Sequence, residues 1–179
     1  SSGSINSKKS EKNEFFIGIK GKKFDGSRFA DEALKRGAKI AVIRKNFGKK
    51  SNKKILVKDT LKFFKDTSKI IRQSCKLKSI AITGSSGKTS VKELIGQSFG
   101  KLTSVTYSKK SFNNQYGVPL SLFNIRKKDV FGVFEVGMDK KGEIDNLTKL
   151  VMPDLGVITN ISYADRKSTR LNSSHLLIS

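Results

Sequence analysis

The residues most able to do chemistry follow an apolar run, Ser79-Ile80-Ala81-Ile82, which breaks into Thr83-Gly84-Ser85-Ser86-Gly87-Lys88-Thr89-Ser90. Gly84 and Gly87 let the backbone curl, and a helix opening after the curl points unpaired N–H groups into it, which makes a cradle for phosphate. Lys88 adds a mobile cation and Thr89 a hydroxyl suited to a magnesium ion. The spacing is GxxGKT, shorter than the GxxxxGK[ST] pattern, whose first glycine would fall on Ile82. A glycine turn with a chance lysine is the competing account, and the strand before and helix after it count against that. Two further strand ends carry polar side chains: Glu135 after the apolar run Val130–Phe134, and Asn160 after Leu155–Thr159. In open α/β sheets ligands sit beyond the carboxyl ends of the strands. All three ends are therefore expected at one crevice, with Glu135 placed to hold magnesium against the phosphates. Asn113 and Asn114 lie in a polar loop and, on residue type alone, are turn formers.

The elements that must position these residues alternate. Phe15–Ile19 reads as a strand, Asp25-Gly26 as a turn, and Ser27 as the cap of a helix to Arg36 that stops at Gly37. Strands at 40–43 and 55–57 follow, then a helix from Asp59 or Thr60 to about Cys75 with Leu61, Phe64, Ser68, Ile71 and Cys75 on one stripe. After the phosphate-loop strand come a helix from Thr89 to about Phe99, a strand at 102–105, and a short helix around Pro119 ending at Phe123. The strand at 130–134, a helix from Glu143 to about Val151 and the strand at 155–159 complete the pattern. Strand–helix repetition of this kind implies α/β architecture: a small N-terminal α/β domain over residues 1–77, then a P-loop-type, doubly wound, mostly parallel sheet, incomplete, over 78–164.

Composition excludes more than it assigns. The formal charge is +22, but lysine dominates it and most of the excess lies in residues 1–80, without the arginines of a base reader or the interleaved aromatics of a single-strand binder. A solvated, lysine-rich surface accounts for the charge as well as nucleic acid does. One cysteine, Cys75, rules out an internal disulfide and a cysteine metal cluster. No apolar run approaches the roughly 18 residues of a spanning helix.

With these residues in place the chain resembles the Mur ligase family, the ATP-dependent amide-forming enzymes of peptidoglycan precursor synthesis. The likeness is carried by Phe15–Gly21 with Phe24-Asp25-Gly26, by Thr83–Ser90 with Lys92-Glu93-Leu94, and by Phe112-Asn113-Asn114 with Gly117-Val118-Pro119. Glu135-Val136-Gly137-Met138 with Gly142-Glu143-Ile144, and Pro153-Asp154 with Thr159-Asn160-Ile161, complete it. The asparagine loop and the EVGM run look like the member that adds D-alanyl-D-alanine. The resemblance implies ATP and magnesium as cofactors and two substrates, a UDP-N-acetylmuramoyl-tripeptide and D-alanyl-D-alanine, joined through an acyl phosphate. It implies that Gly84, Ser85, Ser86, Gly87, Lys88, Thr89, Ser90 and Asn160 bind nucleotide, the backbone N–H groups of residues 84–88 and the Lys88 ammonium holding the β- and γ-phosphates. Thr89 and Glu135 would hold the metal, with Lys88 and Glu135 catalytic. Asn113 and Asn114 would face substrate, as would Asn6-Ser7-Lys8, which stand where the family has an Asp/Asn-Ser-Arg motif. A cytoplasmic bacterial enzyme, monomeric at full length, is implied as well. A sibling ligase adding one amino acid, a basic nucleic-acid-binding module and a nucleotide-binding regulator are the alternatives.

The resemblance stops at Ala164, where the family continues with a histidine and this chain with Asp165. Residues 165–175, DRKSTRLNSSH, read like an in-frame translation of a sequencing adapter, so 165–179, including His175, is expected to be a non-native tail. The chain also starts without Met, and an upstream segment is expected. As a fragment it is expected to bind ATP weakly at best and to form no amide.

Overall fold

The computed structural model describes residues 2–7, 13–21, 24–108 and 111–161. Lys8 and residues 162–179, with the adapter-like segment and His175, lie outside them. The chain divides into two units, 1–68 and 69–179.

The first unit is a four-stranded sheet in the order β1 (Gly3–Ser4), β2 (Phe15–Ile17), β3 (Ile40–Arg44), β4 (Lys54–Val57), every pairing parallel. Helix α1 (Ala30–Lys35) packs Ala30 and Ala33 against Phe16, Ala41 and Ile43. The turn expected at Asp25-Gly26 forms, with one change of role: Asp25 Oδ1 accepts the Ser27 N–H at 3.0 Å and caps a 3-10 turn over Gly26–Phe29. Ser27 is not a cap. It is buried, its hydroxyl donates to Gly18 O and accepts the Arg44 N–H, and it crosses the chain so closely that a Cβ on Gly18 would lie 2.6 Å from Ser27 N. Helix α2 (Thr60–Ser74) begins where Asp59 Oδ1 accepts the N–H groups of Leu61 and Lys62.

The second unit is a four-stranded parallel sheet built from β5 (Lys78–Thr83), β6 (Val105–Tyr107), β7 (Phe131–Glu135) and β8 (Leu155–Ile158), in the order β6-β7-β5-β8. Both faces are covered, as expected of a doubly wound sheet. On one, Ile80, Ile82 and Val133 meet Val91, Ile95 and Phe99 of α3 (Lys88–Gly100). On the other, Ala81, Phe134 and Val136 meet Val118 and Leu122 of α4 (Gly117–Phe123) and Leu147 and Val151 of α5 (Glu143–Val151). Alternate residues of β5 thus feed opposite cores, which is why its run is continuously apolar. The strand expected at 102–105 starts later, because α3 runs to Gly100, Thr103 N–H still reaches Phe99 O, and the β7 register pairs Val105 with Phe131.

The link into β7 is fastened by Asp129, whose side chain is fully buried. Burial pushes its carboxyl up, but the Arg126 guanidinium and backbone N–H and the Ser104 and Thr106 hydroxyls more than offset this, leaving it below the usual carboxylate range. A lowered folded pKa contributes stability above the unfolded value of about 4 and loses it as pH falls through the folded one. Asp129→Asn is expected to cost roughly 1–2 kcal/mol at neutral pH, and urea titrations below about pH 4 should show the gap to wild type closing. A constant gap across that window would mean the carboxylate charge is not what stabilises the turn.

Candidate functional site

The carboxyl ends of β5, β7 and β8 do meet, and each supplies the side chain expected of it. Gly84 leaves β5 at φ +134 and Gly87 enters α3 at φ +79, both in the region that glycine favours. Glu135, at the end of β7, is 1% exposed. Its Oε2 accepts the Thr89 hydroxyl at 2.8 Å and its Oε1 the Asn113 amide at 2.8 Å. The Thr89 hydroxyl also lies 3.3 Å from that of Ser111. Lys88 folds over the loop, its ammonium donating to Gly84 O and, at 3.4 Å, to Ser85 O.

The loop's own N–H groups are divided, which differs from the expectation that all of them face phosphate. Ser85 N–H donates to Asn160 O, and Ser86 N–H to Asn160 Oδ1, each at 2.9 Å. The Asn160 amide returns a bond to Ser86 Oγ, and the Thr159 hydroxyl donates to Ser86 O at 2.5 Å and Thr83 O at 3.2 Å. Asn160 is therefore a brace for the loop. The start of α3 at Gly87, Lys88 and Thr89 remains the part whose N–H groups helix geometry directs outward, with Ser90 exposed beside them.

Asn113 and Asn114 part ways. Asn113 reaches the end of β7: besides its bond to Glu135, its carbonyl takes the Gly137 N–H at 2.6 Å. Asn114 Oδ1 accepts the N–H groups of Tyr116 and Gly117, each at 3.0 Å, and so closes the turn that leads into α4. Asn6 and Ser7 stand in the other unit, after β1, where the Ser7 hydroxyl lies 3.4 Å from Glu32 Oε2. Sequence reasoning gave no role to Ser108 and Ser111, hydroxyls with no spacing signal, and noted Thr159 only as a strand end within a motif. It noted Lys92 only as part of a motif.

The donor set suits a magnesium nucleotide. Glu135 is a buried carboxylate whose bonds come from the neutral Thr89 and Asn113, an arrangement that a divalent cation would complete. One carboxylate and one hydroxyl, with waters and phosphate oxygens, is the usual magnesium complement. Thr83 Oγ1, one residue before Gly84, is buried with no hydrogen-bond partner among the described residues.

Sequence comparison agrees with this geometry. Residues 82–165 match the family model described as the Mur ligase middle domain, and residues 3–73 the one described as the Mur ligase family catalytic domain. The chain belongs to the Mur ligase family. Among curated Mur ligases it is 35% identical over 161 residues to the UDP-N-acetylmuramoyl-tripeptide--D-alanyl-D-alanine ligase of Haemophilus influenzae, covering 88% of this chain and 35% of that one. It is 35% identical over 156 residues to the enzyme of the same name from Bacillus subtilis, covering 86% and 34%. Among solved Mur ligases, MurF from Acinetobacter baumannii superposes with a TM-score of 0.75 at 30% identity, covering 87% of this chain and 34% of that one. MurF from Thermotoga maritima, solved in complex with ADP, gives 0.73 at 32%, covering 89% and 37%. The chain spans about a third of the length of the curated relatives it matches. No helix among the described residues is long and apolar enough to cross a membrane.

Proposed function

We propose that the protein is the ATP- and magnesium-dependent Mur ligase that joins D-alanyl-D-alanine to a UDP-N-acetylmuramoyl-tripeptide, working as a monomer in the bacterial cytoplasm. The observation that carries the reading is the convergence of Lys88, Thr89, Asn113 and Glu135 on one strand-end crevice. In the reaction a carboxylate oxygen of the tripeptide attacks the γ-phosphorus, the bond to the β-phosphate oxygen breaks and ADP leaves. The amine of the dipeptide then attacks the acyl carbon, phosphate departs and the nitrogen gives up a proton. This chain's contribution lies in the first step. The Lys88 ammonium would leave the loop carbonyls for the phosphates, the opening turn of α3 would add N–H donors, and Glu135 and Thr89 would hold magnesium. Magnesium, when bound, neutralises charge on the phosphates during transfer. Asn113 would keep the Glu135 carboxylate aimed, and Asn160 would keep the loop in shape. Asn6, Ser7 and Lys8 would contact the UDP end of the substrate, in keeping with the place of Asn6 and Ser7 after β1 in the first unit.

Two measurements test this. On this chain, amide shifts on adding magnesium and ADP should concentrate at residues 84–89 and at Glu135, and Lys88→Ala should weaken binding by roughly ten- to a hundredfold, the worth of a charge-assisted hydrogen bond. On the complete gene product, phosphate release should require both the tripeptide precursor and D-alanyl-D-alanine. Release supported equally by a single amino acid would instead assign a sibling activity. Salt-sensitive DNA binding indifferent to Lys88→Ala, with no response to ADP, would defeat the nucleotide reading altogether.

A further inference from the structure

Lys92 is the one lysine described as wholly buried, at 0% exposure, and nothing in the proposed reaction uses it. An ammonium out of water is costly, and a helix facing a sheet is filled more cheaply by methionine or leucine. Its contacts show what it holds. Nζ donates to Ser108 O at 2.6 Å and pairs with Glu93 Oε1 at 2.8 Å. Ser108, also fully buried, follows β6; its N–H bonds Val133 O, and its hydroxyl accepts the Glu135 N–H at 3.3 Å. On its other side this strand end is held by β5, where the Val136 N–H reaches Ile82 O at 2.8 Å.

Lys92 lies three residues after Thr89 on α3, and positions three apart share a helix face. One helix therefore grips Glu135 twice: at the carboxylate through the Thr89 hydroxyl, and at the backbone through Lys92 and Ser108. Resting on the magnesium-nucleotide reading, we infer that Lys92 is a positioning residue. Through Ser108 it sets where the end of β7 presents the Glu135 carboxylate, and so sets the contribution of magnesium to nucleotide binding without touching nucleotide or metal itself. The buried charge serves where an apolar side chain would not, because it must reach a backbone carbonyl across the gap between α3 and the end of β6.

The test measures ADP affinity of this chain with magnesium and with a chelator. In wild type, magnesium should tighten binding. Lys92→Met should reduce that gain about tenfold while leaving metal-free affinity within about twofold. Ser108→Ala, which removes one hydrogen bond and leaves the lysine in place, should reduce it roughly fivefold. Thermal melts monitor folding, and if Lys92→Met fails to fold, Ser108→Ala decides alone. A wild-type magnesium gain in either folded variant, or equal loss with and without magnesium, overturns the positioning role. A wild-type chain that binds ADP with no magnesium gain, or not at all, removes the underlying reading and the inference with it.

Discussion

Gly84→Ala is expected to destabilise the second unit by about 3 kcal/mol and to abolish nucleotide binding. The added Cβ would lie 2.2 Å from Thr159 Oγ1, 2.9 Å from Asn160 O and 3.0 Å from Asn160 N, on a backbone held at φ +134. None of these atoms can yield cheaply. The Thr159 hydroxyl is bound to two carbonyls of the loop, Thr83 O and Ser86 O, and Asn160 O holds the Ser85 N–H. Moving them detaches the brace that shapes the cradle. Gly87→Ala is the internal contrast: its φ is also positive, at +79, but the nearest atom is Thr159 Cβ at an ordinary 3.9 Å. That substitution should cost only the conformational strain, about 1 kcal/mol, and leave measurable binding. Urea unfolding and ADP titration of the pair check this. Equal losses would mean that backbone conformation, rather than contact with the end of β8, makes Gly84 necessary.

That brace marks where reading the residues in order reaches its limit. Elements were legible where local signals agree: an apolar run ending in glycine or a polar residue located β5, β7 and β8 to within a residue or so, and Asp25, Asp59 and Pro119 marked real turns and helix starts. Alternation also implied the parallel sheets, and the rule that strand ends share a crevice brought Glu135 to Thr89. Partners set by tertiary packing were not legible. Asn113 and Asn114 are adjacent and of one type, yet one bonds Glu135 and the other closes the turn into α4, because only the position of Gly137 and the start of α4 distinguishes them. Leu102 looks like a strand residue but is 86% exposed in the turn after α3. Gly3–Ser4 is too short to carry a periodic signal. Lys92 and Arg72 are less legible still, since nothing in the local sequence marks a charged helix residue as inward-pointing, and both of these are buried.

Arg72 shows how much stability such an unmarked residue can hold. Its side chain is 9% exposed, and the guanidinium reaches three elements at once. Nε donates to Val151 O at 2.7 Å and Nη2 to Met152 O at 2.9 Å, satisfying carbonyls at the end of α5, where Met152 turns at φ +47. Nη2 also reaches Ser79 Oγ at 2.7 Å, at the start of β5, and Nη1 lies 3.4 Å from Cys75 O, just past α2. Asp154 stands 3.7 Å away, its carboxyl held below the usual range by the Ser79 N–H, by Lys78 and by Arg72. Arg72→Met keeps most of the volume but leaves these acceptors without their shared donor, and is expected to cost about 3–5 kcal/mol. Arg72→Lys should recover little, since a single ammonium cannot spread over acceptors that a planar fork reaches together. Lys78→Ala, which breaks a pair whose lysine side chain is 73% exposed, should change stability by less than about 0.5 kcal/mol. Urea denaturation of the three variants separates the buried fork from the surface charge on the same aspartate. A loss below about 1 kcal/mol in Arg72→Met would show that Ser79, whose hydroxyl also lies 2.9 Å from Met152 O, ties β5 to the end of α5 without the arginine.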